Sequence, residues 1–333
     1  MTTLKDVAER AGVSRSAVSR TFTEGASVSA KTRALVQQAA ADLGYQPNVL
    51  ASSLTTGRTK LIGLVSNNFH NPIFLEVFDL CTRGLQERGL RPLLVNLSQE
   101  TDPENSIRML RQYSVDAAIV ASSTLPVSFA EGFHSAGIPV VHSFGRLTDQ
   151  PRVHVVGIDN IEAGRLAAQT LIDHGYRRIG MMAGPDTATS TQDRVAGFME
   201  VMRAHPEIEM SCSFAAAYSF NAGREEMTRL LADRKADAYF CGDDVLSIGA
   251  LSAAQSAGLS VPDDIGLLGL NDMEIARWEN IDLTTIQNPV QEIVKASVEL
   301  VDAMLEGRGD TPTVRKFTCK VVERGTLKHQ GAG

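Results

Sequence analysis

Paired cysteines are missing from this 333-residue chain: Cys81, Cys212, Cys241 and Cys319 stand far apart, with no CxxC unit among them. That spacing argues against a disulfide framework and against a zinc site, and the four thiols are expected to be reduced core residues. Aromatics are sparse, at 5% of residues with a single tryptophan. No apolar run approaches the ~20 residues that a membrane-crossing helix needs, and no basic n-region followed by an apolar stretch opens the chain. A cytoplasmic, nucleoid-associated protein is the expectation. Catalytic signatures are lacking as well. His70, His134, His142, His154, His174, His205 and His329 are scattered, and neither HExxH nor a Ser/His/Asp or Cys/His arrangement is present. The adjacent carboxylates Asp243–Asp244 and Asp263–Asp264 do not make a catalytic pair, because neighbouring loop residues generally point apart. The glycines have neither Walker nor dinucleotide-binding spacing. No enzyme, cofactor or metal is therefore expected.

What is there begins with charge asymmetry. The whole chain carries −7, yet residues 1–60 hold eight Lys/Arg against four Asp/Glu. A small basic head on an acidic body suits a polyanionic partner for the head alone. In that head Leu4, Val7, Ala8 and Ala11 recur at helical spacing behind Thr3, a residue able to cap. Gly12 and Val13 make a turn, and Ser14 caps a second helix containing Ala17, Val18 and Phe22. Arg15, Ser16, Ser19 and Arg20 occupy the face that the apolar set leaves open, as a recognition helix in a major groove requires. Ser29 caps a third helix, which Gly44 ends. An ordinary three-helix bundle with solvated arginines has the same pattern.

The next segment, residues 47–59, reads as a short helix and linker. Leu50, Ala51 and Leu54 would lie on one side of it, behind Asn48, with no local core to receive them. A plain linker whose leucines touch the body is the alternative. From Lys60 onward, β-rich runs alternate with amphipathic ones. LIGLVS, RPLLVNL, DAAIVAS and IPVVHSF come first, followed by VHVVGID, RRIGMMAG, FAAAYSF, DAYFCGD and IGLLGLND. Helices are expected around 72–88, 102–113, 126–136, 161–174, 192–204, 222–233, 244–257 and 290–306, and VRKFTCKVVERG is expected to add strands. The fold class that follows is an all-α helix-turn-helix headpiece (1–46), then an α/β body (60–333) of two doubly wound parallel-sheet lobes. The lobes span about 60–158 and 161–287, with a return over 288–326.

Ligands of such sheets sit at the carboxyl ends of the strands. The candidates there are Asn67, Asn71 and Phe74 after the first strand, Arg146 after IPVVHSF, and Asp159 with Asn160 between the lobes. Arg194 follows on a helix, then Tyr218, Asp243, Asn271 with Asp272, and Trp278. Phe74 serves equally as core and Trp278 equally as a buried anchor. Amides, carboxylates, arginines and aromatics together suit a polyhydroxylated molecule, with a sugar acid or sugar phosphate left open by the arginine forks.

The stretches TLKDVAERAGVSRSAVSRTF and SVSAKTRALVQQAAADLGYQPN resemble the LacI/GalR family of bacterial repressors. So do NPIF, IDNIEAGRLAAQTLIDHGYRRIG, AGP, DRVAGF, CGDDVLSIGAL and LTTIQNPV, so that the resemblance runs collinearly from residue 1 to about 326. It implies a one-component repressor with a body like that of periplasmic sugar-binding proteins. The expected partners are palindromic double-stranded operator DNA, a second copy of the chain and a small sugar-like effector. It also implies that Leu54, beside Ala51 and with Asn48 at the start, wedges into the minor groove, and that Arg194 holds the effector. One departure stands out: the family commonly has an aspartate where this chain has Asn271, and an amide both donates and accepts where a carboxylate only accepts. A solute-binding receptor would explain the body but leave the basic head without a role.

Overall fold

A computed structural model describes residues 2–23, 25–46, 57–97, 104–233, 236–309 and 311–329. The chain divides into two compact units, residues 1–60 and 61–333. Asn48, Ala51 and Leu54 lie outside the described residues.

The first unit is three helices, α1 (Leu4–Ala11), α2 (Arg15–Thr21) and α3 (Ala30–Asp42). Each begins at the hydroxyl the sequence supplies for its orphan amides. The Asp6 amide donates to Thr3 Oγ1 at 3.4 Å while the Thr3 amide donates to the Asp6 carboxylate at 2.8 Å, a reciprocal cap. The Ala17 and Thr32 amides likewise donate to Ser14 and Ser29 at 3.2 and 3.1 Å. Val7, Ala8, Val18, Val36, Ala39 and Ala40 form the shared core. Its small size makes these caps, worth about 1 kcal/mol each, a large part of the unit's stability.

The second unit contains two six-stranded sheets. In chain order the first lobe has β1 (Leu61–Ser66), α4 (Ile73–Glu87), β2 (Arg91–Asn96), α5 (Glu104–Gln112), β3 (Ala117–Ala121), α6 (Val127–Ser135), β4 (Val140–Ser143) and β5 (His154–Ile158). The second lobe has α7 (Asn160–Asp173), β6 (Arg178–Ala183), α8 (Thr189–Ala204), β7 (Glu209–Phe214), α9 (Phe220–Asp233), β8 (Ala238–Cys241), α10 (Asp244–Ser256), β9 (Gly266–Asn271) and β10 (Thr285–Gln287). A short 3-10 turn at Glu274–Arg277 lies between the last two strands. The chain then returns: α11 (Val290–Leu305) packs on α4 and on strands of the first sheet, and β11 (Val314–Phe317) joins that sheet beside β5. Finally β12 (Lys320–Val322) crosses once more and pairs antiparallel with β10.

Sheet order is β2-β1-β3-β4-β5-β11 in one lobe and β7-β6-β8-β9-β10-β12 in the other. The inner strands are apolar without alternation because helices cover both of their faces; β3 and β5 are buried at every residue. The strand expected at FAAAYSF is shifted: β7 ends at Phe214, and the following residues form the loop that carries Tyr218. Glu209–Phe214 is the edge strand, largely exposed, so it lacks the apolar run that marks its neighbours. Three crossings, at Ile158–Asn160, Gln287–Val290 and Phe317–Lys320, join the lobes. The buried core continues from Ile62, Phe74 and Val156 through Phe198, Phe240 and Leu270.

Candidate functional site

The carboxyl ends of both sheets face one cleft. Asn68, Asn71, Ile73, Phe74, Val77, Ser123, Phe144 and Ile158 line it from the first lobe; Asn160, Arg194, Tyr218, Asp243 and Asn271 line it from the second, and Asn288 from a crossing. Arg194 arrives on α8, whose position against α7 depends on two glycines. A Cβ on Gly164 would lie 2.1 Å from the Arg194 carbonyl oxygen, and one on Gly197 would lie 1.9 Å from that of Ile161. Backbones that close leave Arg194 only 5% exposed. Its Nε donates to Asn160 Oδ1 at 2.8 Å and its Nη1 to the Gly242 carbonyl at 2.6 Å.

Asp243 is the buried acceptor facing it. Its carboxylate takes hydrogen bonds from Asn71 Nδ2 at 2.7 Å, Asn271 Nδ2 at 3.2 Å and the Val245 amide at 2.6 Å. The first of these spans the lobes. Burial pushes the Asp243 carboxyl up, while the Asn71 and Val245 donors and the Arg194 charge pull it back. The next residue is buried too: burial raises Asp244 to about 7, although it accepts from Thr285 Oγ1 at 2.5 Å and from the Met273 amide at 2.9 Å. Asn271 therefore has a physical reason to be an amide. It must donate to Asp243, and its own Oδ1 accepts from Asn288 at 3.2 Å. A carboxylate there would set two buried negative charges against each other.

Asn71, Phe74, Arg194, Tyr218, Asp243 and Asn271 are thus brought together as the sequence suggests. Phe74 is core and lining at once, with its ring 6.5 Å from that of Phe144, and the Tyr218 hydroxyl meets Thr191 Oγ1 at 2.7 Å. Five expected residues sit elsewhere, among them Asp272, which pairs with Arg277 and Arg324. Arg146 forms an ion pair with Asp193. Asp159 caps α7, accepting from the Ile161 and Glu162 amides, and meets Lys316 at 3.0 Å. Asn67 bonds Ser122 and Thr124 below the cleft. Trp278 is neither lining nor anchor, being 53% exposed. The candidate Asn160 does belong to the lining, and so do Phe144, Ser123 and Asn288, which the sequence reading did not single out. Phe144 looks like the end of an apolar strand, and only its left-handed backbone, φ 63°, turns it into the cleft.

In the first unit Ser14, Arg15, Ser16 and Arg20 are exposed and Ser19 is half-buried, while Val18 is buried. Arg20 Nε donates to the Ser16 carbonyl at 3.3 Å. Thr3 and Ser29 are exposed at helix starts.

Comparison with known proteins places these two units. A model of bacterial regulatory proteins of the lacI family matches residues 3–48, and a periplasmic binding protein-like domain matches residues 168–327. The HTH-type transcriptional repressor PurR of Proteus mirabilis (strain HI4320) is 32% identical over 335 residues, 98% of this chain and 97% of that protein. The chain belongs to the lacI family. This regulator therefore joins a DNA-binding helix-turn-helix module to a periplasmic-binding-protein-like ligand-binding body. Among solved structures, the lac repressor dimer bound to operator and the anti-inducer ONPF aligns with TM-score 0.86 at 25% identity, over 98% of this chain and 99% of that one. A complex of the transcriptional regulator CelR with cellobiose aligns with TM-score 0.73 at 28% identity, covering 98% and 100%. In the lacI-family regulator no helix among the described residues is long and apolar enough to cross a membrane.

Proposed function

We propose that the protein is a homodimeric repressor in which each protomer lays α2 in the major groove of one half of a two-fold-symmetric operator. An uncharged, sugar-like effector in the cleft would set the DNA affinity. The observation that carries the DNA part is the placement of Arg15, Ser16, Ser19 and Arg20 on one open face of a capped helix behind a tight turn. Arginine there donates to guanine edges and phosphates, and serine hydroxyls reach phosphates. Ser14, with Thr3 and Ser29 at the other helix starts, adds hydroxyl and amide donors for the backbone. Asn48, Ala51 and Leu54 are proposed to extend the contact into the minor groove, with Leu54 as the wedge. Coupling between the cleft and the DNA face is reciprocal, so operator also shifts effector affinity.

The cleft's hydrogen-bonding supports the uncharged effector. Arg194 has Nε engaged by Asn160 and one Nη1 hydrogen by Gly242, which takes up the side-on Nε–Nη2 fork that a carboxylate or phosphate would use. One cation and one anion, Arg194 and Asp243, line the space, and the remaining polar groups are mostly amides. Amides between the rings of Phe74, Phe144 and Tyr218 suit the alternating hydroxyls and apolar face of a sugar. The cellobiose complex of CelR is a precedent on the same fold. Arg146, Asp159 and Trp278 have no part in this reading.

A thermal-shift screen of the full chain against neutral mono- and disaccharides, sugar acids and sugar phosphates tests it, since a ligand that binds only the folded state raises Tm. The expected result is a rise with a neutral sugar, lost in Arg194→Ala. A rise confined to anionic compounds would contradict it.

A further inference from the structure

Arg146 has a different task from effector contact. It follows β4 by way of Phe144 and Gly145, two residues whose geometry is forced. Phe144 holds φ 63°, a region that a bulky side chain enters only under constraint, and its amide donates to the Val156 carbonyl at 2.6 Å. A Cβ on Gly145 would lie 2.6 Å from the ring of His142, which is fully buried in the first lobe. The turn therefore sends the Phe144 ring into the cleft and, two residues on, the Arg146 guanidinium across to the other lobe. There Arg146 Nε lies 3.0 and 2.9 Å from the two oxygens of Asp193, and Nη2 bonds Oδ1 as well. Asp193 is only 13% exposed and directly precedes Arg194 on α8.

The start of α8 depends on the first lobe in a second way. Its N-cap residue, Ala188, has no side chain able to accept. The Ser190 amide instead donates to the Ser123 carbonyl of the first lobe at 3.2 Å, and Thr189 Oγ1 reaches the same oxygen at 3.2 Å. An orphan helix amide is thus satisfied across the cleft.

The geometry points to a latch: the Arg146–Asp193 ion pair ties the two lobes together over the first turn of α8, and the Phe144–Gly145 turn ties that latch to the cleft. A molecule pressing on the Phe144 ring then acts on the latch through one rigid turn. That regulatory consequence rests on the effector reading of the cleft; the latch itself does not, so its test uses no ligand.

Hydrogen exchange read by mass spectrometry on the full chain supplies the test, comparing wild type with Arg146→Ala, Asp193→Asn and the charge swap Arg146→Asp/Asp193→Arg. Peptides covering 189–192 and 122–125 are expected to exchange about fivefold faster in both single variants. The swap recovers most of that protection, and peptides of β6 and β8 stay at wild-type rates as the folding control. Asp193→Asn keeps the side chain's shape, so it reads the charge even where Arg146→Ala disturbs the turn. Wild-type exchange at 189–192 in Asp193→Asn would overturn the latch. So would an unrescued swap whose β6 and β8 peptides remain protected, because packing rather than charge would then hold the lobes.

Discussion

The two units of this protein put their functional residues in opposite physical situations. The head presents Arg15, Ser16 and Arg20 to solvent from a helix of seven residues, held by caps and a core of six small side chains. The body buries Arg194, Asp243 and Asn71, with Asn71 donating to Asp243 across the lobes and Arg194 donating to Asn160 and Gly242. A surface reader can lose a side chain with little effect on folding. A buried polar network cannot, since each partner left alone keeps its desolvation penalty. Substitutions in the two regions should therefore separate into effects on DNA binding and effects on stability.

The largest effect is expected at Asp244. Burial raises its carboxyl to about 7 from an ordinary value of 3.8, so the folded chain holds this proton more tightly than the unfolded one. Rising pH then removes stability, beginning near the unfolded value and ending near the folded one. Between pH 4 and pH 8 the wild type should lose on the order of 4 kcal/mol relative to Asp244→Asn in urea unfolding. A difference that stays flat across that range would show a carboxylate ionised throughout.

Gly197→Ala comes next. The added methyl meets the Ile161 carbonyl at 1.9 Å, so α7 and α8 must separate. A loss of about 3 kcal/mol is expected by chemical denaturation; a loss below about 0.5 kcal/mol would mean that the helices part freely. For Arg20→Ala the sign of the comparison reverses. Specific DNA binding should weaken by about 1–3 kcal/mol with relaxed base preference, while the melting temperature holds. A fall in melting temperature with operator affinity intact would move Arg20 from the reading face to the core. Thr3→Ala is the smallest, about 1 kcal/mol off the head's stability through the lost cap of α1, with the body's unfolding unchanged.

The same contrast explains what could be read from the amino-acid order. The head's cap, turn and exposed arginines lie within about twenty consecutive residues, and helical spacing alone places them. The alternation of strands and helices was legible because the inner strands are uninterrupted apolar runs, whereas the order of strands within each sheet was not. The cleft is harder, because its lining comes from segments as far apart as Asn68 and Asn288. Strand-end logic finds Asn71, Asp243 and Asn271, whereas Phe144 depends on a backbone conformation that no residue pattern announces. Arg146 and Asp159 are strand-end ions like Asp243, and only coordinates show that one serves an ion pair and the other a helix cap. The amide at 271 becomes intelligible once Asp243 is seen beside it.

The central claim is that the exposed face of α2 reads a sequence in duplex DNA while the cleft controls that reading. Selection from random duplex oligonucleotides by the full-length protein, repeated in the presence of whichever sugar raises its Tm, tests this most directly. The account predicts a two-fold-symmetric enriched sequence whose affinity falls steeply with salt and changes when the sugar is added, the sugar response alone disappearing in Arg194→Ala. No enriched sequence under either condition, or an enriched sequence kept intact by a protein lacking Arg15 and Arg20, would contradict it.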